Sequence, residues 1–139
     1  MNDVVLNKIQ IIRRCLGRIN EEYQGNPDNL RHQTKQDSII LNLQRACEAA
    51  IDLAMHLVSE RKLGIPQNSR DAFELLFQNQ IITEKLAIRL KAMVGFRNIV
   101  IHDYQAVQLE ILQKIIELHL NDFANFIEIV LKLVSKTEV

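Results

Sequence analysis

Turn-forming residues are scarce in this sequence: its 139 residues include only 4 glycines and 2 prolines. Glycine and proline supply most tight turns, so a fold built from many short strands would need more of them. The chain is instead rich in leucine, isoleucine, glutamine, glutamate, lysine and alanine, which are common in helices. The composition therefore favours an all-helical fold.

Cysteine is also scarce, and this limits metal and redox chemistry. Cys15 and Cys47 lie among apolar residues of predicted helices, and neither belongs to a CxxC or Cys/His arrangement with zinc-ligand spacing. A disulfide between them is possible, but two buried free thiols are the expected state. The sequence indicates no metal site and no cofactor.

An excess of one charge and a long apolar run are both missing. The 17 lysines and arginines balance 17 aspartates and glutamates, so only a local patch could bind nucleic acid. No run approaches the roughly 18 apolar residues of a membrane span, and the N-terminus lacks the pattern of a signal peptide. We therefore expect a single globular domain over residues 1–139, without a membrane partner and located in the cytoplasm.

Apolar residues recur at three- and four-residue spacing, which is the pattern of helices with one buried face. The predicted helices span residues 2–24, about 34–63, 69–79, 83–104 and 107–134. Thr34, Ser69 and Thr83 are the predicted N-caps of the second, third and fourth helices. Short connections between long helices predict an all-α, up-and-down bundle of about five helices.

The last predicted helix carries a wide apolar stripe that is expected to be buried. One charged residue, Asp122, lies in this stripe, and a buried carboxylate needs a partner. The stripe consists of Ile111, Ile115, Leu118, Asp122, Phe123, Phe126, Ile127, Val130 and Val134.

Four polar side chains, those of Arg97, Asn98, His102 and Tyr104, fall in or beside the most apolar segment of the chain, residues 86–101. If the helix continues through Tyr104, that residue lies within about 20° of Arg97 on the helical wheel. Asn98 and His102 are four residues apart, so their side chains stack one turn apart along a flank. Arg97 and Tyr104 are then predicted to project from the middle of the apolar face.

These residue types together suit phosphate chemistry. The guanidinium of Arg97 is a planar fork of donors that matches a phosphate, and the imidazole of His102 can move a proton near neutral pH. Asn98 could hold the imidazole or a phosphate oxygen in place. The group could promote attack of an RNA 2′-hydroxyl on the adjacent phosphate without a metal, with Arg97 stabilising the charge that builds on phosphorus.

A structural role is the competing interpretation of the same side chains. Arg97 and His102 could form a hydrogen-bonded pair, or an ion pair with Glu48, Asp52 or Asp122. Tyr104 by itself is typical of a core or interface tyrosine whose hydroxyl is satisfied. The residue types alone leave both interpretations open.

The spacing of Arg97, His102 and Tyr104 resembles the Arg-x4-His-x-Tyr motif of the HepT-like toxins, a branch of the HEPN superfamily. The resemblance extends over essentially the whole chain. Further segments that are similar to that family are residues 41–49, 63–66, 69–71 and 93–98.

The resemblance implies a five-helix HEPN bundle that forms a homodimer, with the two motifs facing each other. It implies a metal-independent endoribonuclease that acts as the toxin of a toxin–antitoxin pair. The implied antitoxin is a small MntA-like nucleotidyltransferase, which neutralises the toxin by transferring AMP from ATP to the motif tyrosine. By position, Arg97 and His102 would be catalytic, Asn98 would support them, and Tyr104 would accept the AMP.

Two other functions fit the motif. In the first, the chain is a non-catalytic nucleotide- or substrate-binding subunit of a minimal nucleotidyltransferase, and Arg97 only holds a phosphate. In the second, the polar stretch is a network that specifies a dimer.

Overall fold

The structure is a computed structural model that describes residues 2–137, and it is helical almost throughout. The α-helices are α1 (Asp3–Tyr23), α2 (Gln33–Glu60), α3 (Ser69–Gln78), α4 (Glu84–His102), α5 (Leu109–Lys114) and α6 (Leu120–Thr137). Short 3-10 turns span Pro27–Arg31 and Tyr104–Ala106. A turn of π-helix, Ile115–His119, joins α5 to α6, so the two form one interrupted helix. The predicted fold class, a bundle of about five helices, is confirmed.

Hydrogen-bonding side chains set the starts of three helices, although not always those predicted. Asn2 caps α1, and Thr83 caps α4 as expected, its hydroxyl accepting from the Leu86 amide at 3.2 Å. The cap of α3 is Asn68, which accepts from the Asp71 amide at 2.9 Å, and not Ser69. The cap predicted at Thr34 is also wrong, because α2 already begins at Gln33. Each of these two predicted N-caps is wrong by one or two residues, because several neighbouring polar residues could serve as caps.

Helix α2 lies at the centre of the bundle and packs against α1, α3 and α4. The ion pair between Lys8 and Asp52, at 3.1 Å, and the hydrogen bond from Asn2 to Glu60, at 2.6 Å, join the start of α1 to the end of α2. These contacts show that α1 and α2 run antiparallel. The small side chains on α2 allow close approach of its neighbours, and all of them are buried: Ala46, Ala49, Ala50 and Ala54.

At the start of the last helix, the buried residues are not all those of the predicted apolar stripe. Ile111 and Leu118 are 46% and 66% exposed, and Leu112 and Ile116 are buried in their place. The π-turn explains the difference, because it holds more residues per turn than the 3.6 on which the stripe was drawn. From Phe123 onward the predicted positions are buried as expected. The helix also begins at Leu109 rather than Val107 and extends to Thr137.

Cys15 and Cys47 are buried free thiols, as expected. Burial raises the pKa of the Cys47 thiol to about 12, an effect that the nearby charge of Arg97 partly opposes. Both cysteines are therefore protonated packing residues at neutral pH. Among the described residues, no helix is long and apolar enough to cross a membrane.

Candidate active site

Arg97 occupies the buried side of α4, as the wheel predicted, and points towards α2 and α3. Its neighbours one turn back, Met93 and Val94, are buried. One terminal nitrogen, Nη2, donates to the hydroxyl of Ser69 at the start of α3, at 3.3 Å. The Nε atom is also buried, and within residues 2–137 it has no hydrogen-bond partner. A buried donor of a charged group without a partner is costly, so the donors of this guanidinium are not all used within the described residues.

The acids that could have neutralised the motif are engaged elsewhere. Their contacts are Asp52 with Lys8, Asp122 with Arg89 and His119, and Glu48 with Gln44. In the part of the chain that the structure describes, no ion pair joins Arg97 or His102 to an acid. The competing interpretation of a structural ion pair is therefore wrong.

His102 is the last residue of α4 and its side chain is exposed to solvent. Asn98, one turn earlier, is half-buried. The described hydrogen bonds do not include one from Arg97 to either residue. With about 140° between Arg97 and His102 around the helix axis, a single chain presents the two groups on different faces.

Tyr104 does not lie on the helix, and this corrects the prediction that it shares a line with Arg97. Helix α4 ends at His102, Asp103 leaves the helical conformation (φ −155°, ψ 79°), and Tyr104 begins the 3-10 turn. The Tyr104 side chain is 37% exposed, and its hydroxyl donates to Oδ1 of Asp37 on α2, at 2.5 Å. The side chain of Tyr104 therefore faces the start of α2 and does not continue the line of Arg97.

Asp37 is the residue of this site that the sequence did not reveal. It is separated from Tyr104 by 67 residues, and no spacing rule connects them. Partial burial, the hydrogen bond to Asp37 and the charge of that carboxylate together raise the pKa of Tyr104 to about 12. The phenol is therefore fully protonated at neutral pH, with its proton directed at a carboxylate.

An apolar groove runs beside the motif between α4 and α5. Its cavity has a volume of about 690 Å³ and is lined by Ile99 and Ile111 with a basic rim that includes Arg70. Ile99 and Ile111 are each 46% exposed. Gly95 allows this arrangement, because a Cβ at that position would lie 2.9 Å from a guanidinium nitrogen of Arg70. Exposed isoleucines in a groove indicate an interaction surface.

No group of three or more histidine, cysteine, aspartate or glutamate side chains within residues 2–137 is arranged to hold a metal ion. The side chains that remain for chemistry at the end of α4 are the guanidinium, the imidazole and the phenol.

A helical bundle with an arginine and a histidine five residues apart near the end of α4 is the arrangement that the resemblance to the HEPN superfamily implies. More narrowly, the ribonuclease HepT-like family model matches residues 6–130, and the chain belongs to that family. The prediction of a HepT-like ribonuclease is thereby confirmed.

Two relatives and one solved structure place the chain within the family. The mRNA nuclease HepT of Shewanella oneidensis is 50% identical over 130 residues, which cover 94% of this chain and 98% of the relative. The tRNA nuclease HepT of Aphanizomenon flos-aquae is 28% identical over 105 residues, covering 75% and 71%. A tri-AMPylated Shewanella oneidensis HEPN toxin, solved in complex with an MNT antitoxin, matches with a TM-score of 0.88 and 50% identity, covering 94% of this chain and 98% of that one.

Proposed function

We propose that this chain is the toxin of a toxin–antitoxin pair and that it cleaves RNA endonucleolytically with Arg97 and His102. The observation that carries the proposal is that α4 carries both an arginine whose Nε has no described partner and, five residues on, an exposed histidine. The name of the 50% identical Shewanella oneidensis relative, an mRNA nuclease, supports it. RNA and the antitoxin would both be met in the cytoplasm.

The proposed reaction is attack of an RNA 2′-hydroxyl on the adjacent phosphorus, with loss of the 5′-oxygen of the next nucleotide. His102 takes the proton of the 2′-hydroxyl, and the imidazolium that results returns a proton to the leaving 5′-oxygen. The Arg97 fork binds the non-bridging oxygens and stabilises the charge that builds on them in the transition state. Asn98, on the same flank as His102, supports the imidazole. No step in this scheme requires a metal ion.

This proposal is tested with the purified protein, an RNA strand and excess EDTA. We expect cleavage to continue in EDTA and to leave a 2′,3′-cyclic phosphate on one product. The matched control is the same strand with a single 2′-deoxy nucleotide at the cleavage position, which should stay intact there. Cleavage at the deoxy position would contradict the mechanism. Binding of ATP that depends on Arg97, with no cleavage of any RNA, would favour the nucleotide-binding subunit instead.

We further propose that two copies of the chain pair through the groove between α4 and α5. Arg97 and His102 face different directions in one chain, so a second copy that brings its own motif near would complete the site. The exposed isoleucines of the groove supply apolar surface next to the motif, and Ile99 lies between Arg97 and His102 in sequence. Burial of such a patch is worth roughly 25 cal/mol per Å².

Replacing Ile99 with aspartate is expected to weaken this dimer and to reduce RNA cleavage with it. An unpaired charge in an apolar interface is costly, and its removal from water opposes association. Analytical ultracentrifugation over a range of protein concentrations measures the effect. Leu118→Asp is the matched control, because Leu118 is 66% exposed and does not line the groove. A dimer of unchanged affinity in Ile99→Asp would show that the groove is not the interface.

The partner antitoxin is proposed to be a nucleotidyltransferase that places AMP on Tyr104. The exposed phenol at the end of α4 is accessible to such an enzyme. A solved relative is a tri-AMPylated HEPN toxin in complex with an MNT antitoxin, and this supports the assignment of the partner class. Modification would add bulk and negative charge beside His102, in the region where RNA would bind.

A further inference from the structure

We propose that Asp37 is the proton acceptor for the modification of Tyr104, so that the toxin supplies the general base for its own neutralisation. This inference rests on the proposed function, because it concerns the same AMP transfer. It assigns a role to a residue on α2 that lies outside the Arg-x4-His-x-Tyr motif.

The geometry at Asp37 is that of a base in contact with a nucleophile. The Tyr104 hydroxyl donates directly to Oδ1 of Asp37 at 2.5 Å, with no other group between the phenol proton and the carboxylate. The same Oδ1 accepts from Nε2 of Gln33, one turn earlier on α2, at 2.9 Å. Gln33 thus holds the same carboxylate oxygen that accepts from the phenol.

Tyr104 is held in place from its own side as well. The Ala106 amide donates to the Asp103 carbonyl at 2.9 Å, and the Val107 amide donates to the Tyr104 carbonyl at 3.2 Å. The turn and the Asp37 contact together fix the phenol oxygen, while the exposed ring leaves it open to an incoming nucleotide. A prepositioned nucleophile and base reduce the entropic part of the barrier.

A base is needed because the phenol does not ionise beforehand. The raised pKa of Tyr104 keeps its proton in place at neutral pH. In the transfer, the phenol oxygen forms a bond to the α-phosphorus of ATP, and the bond from that phosphorus to the oxygen bridging to the β-phosphate breaks. Pyrophosphate leaves with the electron pair, and the phenol proton passes to Oδ1 of Asp37. Protein kinases place an aspartate in the same relation to the hydroxyl that they phosphorylate.

The test is the rate of AMP addition to purified toxin by its antitoxin with ATP, followed by intact mass. Asp37→Asn keeps an oxygen that accepts the phenol hydrogen bond but cannot take the proton. We expect it to lower kcat by about 10²-fold, at the low end of the range for general bases, and to leave the KM for ATP and for the toxin unchanged. Asp37→Ala should be at least as slow, and Asp37→Glu should recover part of the rate.

Asp52→Asn is the matched control, since it makes the same change on α2 about 22 Å further along the helix. It should be modified at the parental rate. A parental rate in Asp37→Asn would overturn the inference, even if Asp37→Ala were slow, because the carboxylate would then only position the phenol. If the unaltered toxin gains no mass at all, the proposed function fails rather than the role of Asp37.

Discussion

Replacing His102 with alanine is expected to reduce RNA cleavage by roughly 10²- to 10⁴-fold, the usual contribution of a general acid–base residue. The side chain is exposed and makes no described hydrogen bond, so the free energy of unfolding should change by less than about 0.5 kcal/mol. Cleavage of a labelled RNA and thermal unfolding of the same preparation measure the two quantities. Expression without the antitoxin should no longer arrest growth.

The control for this variant is His56→Ala, which removes a histidine near the other end of α2 from Asp37 and Tyr104. It should cleave RNA at the parental rate.

Replacing Arg97 with lysine tests the guanidinium, because lysine keeps the charge but loses the planar fork. We expect the rate of RNA cleavage to fall by about 10²- to 10³-fold. Parental cleavage by both His102→Ala and Arg97→Lys would show that the reaction takes place elsewhere on the chain.

Replacing Tyr104 with phenylalanine is expected to abolish AMP transfer at that position, because the variant has no oxygen to bond to phosphorus. The antitoxin should then fail to neutralise the toxin by modification, and growth arrest should persist when both are expressed. Intact mass after co-expression and plating efficiency are the measurements. The cost in stability should be small, since the contact to Asp37 lies at the surface.

Tyr23→Phe is the matched control, because Tyr23 is the other tyrosine of the chain and also donates to a carboxylate, that of Glu117. This variant should gain AMP as the parent does.

RNA binding by parental toxin before and after modification separates two explanations of neutralisation. If AMP blocks the RNA site, affinity falls with activity. Unchanged affinity would instead place the effect on the chemical step.

Much of the fold could be predicted from the sequence because helical periodicity is a local signal. The bounds of α1 and the cap at Thr83 depend on residues within one or two turns. The direction of Arg97 was also predictable, since the apolar residues around it define the buried side of α4. The π-turn at residues 115–119 was not, because it changes the residues per turn without a glycine or proline to mark it.

The candidate site was likewise predictable only where the signal is local in sequence. The types and spacing of Arg97 and His102 pointed to phosphate chemistry, and the family resemblance supplied the ribonuclease class. The place of Tyr104 was predicted wrongly because α4 ends two residues before it, and its hydrogen-bond partner, Asp37, lies on another helix. Distant pairs of this kind are set by the packing of α2 against α4, which periodicity within either helix does not report.

The two tyrosines are both hydrogen-bonded to carboxylates, and this gives the protein a useful optical property. The chain contains no tryptophan, so its near-ultraviolet absorption and emission come chiefly from Tyr23 and Tyr104. Tyr23 is only 4% exposed, whereas Tyr104 is 37% exposed. Attaching AMP to the Tyr104 oxygen removes one ionisable phenol. An alkaline titration of tyrosinate absorbance should therefore measure the modified fraction, with no label attached.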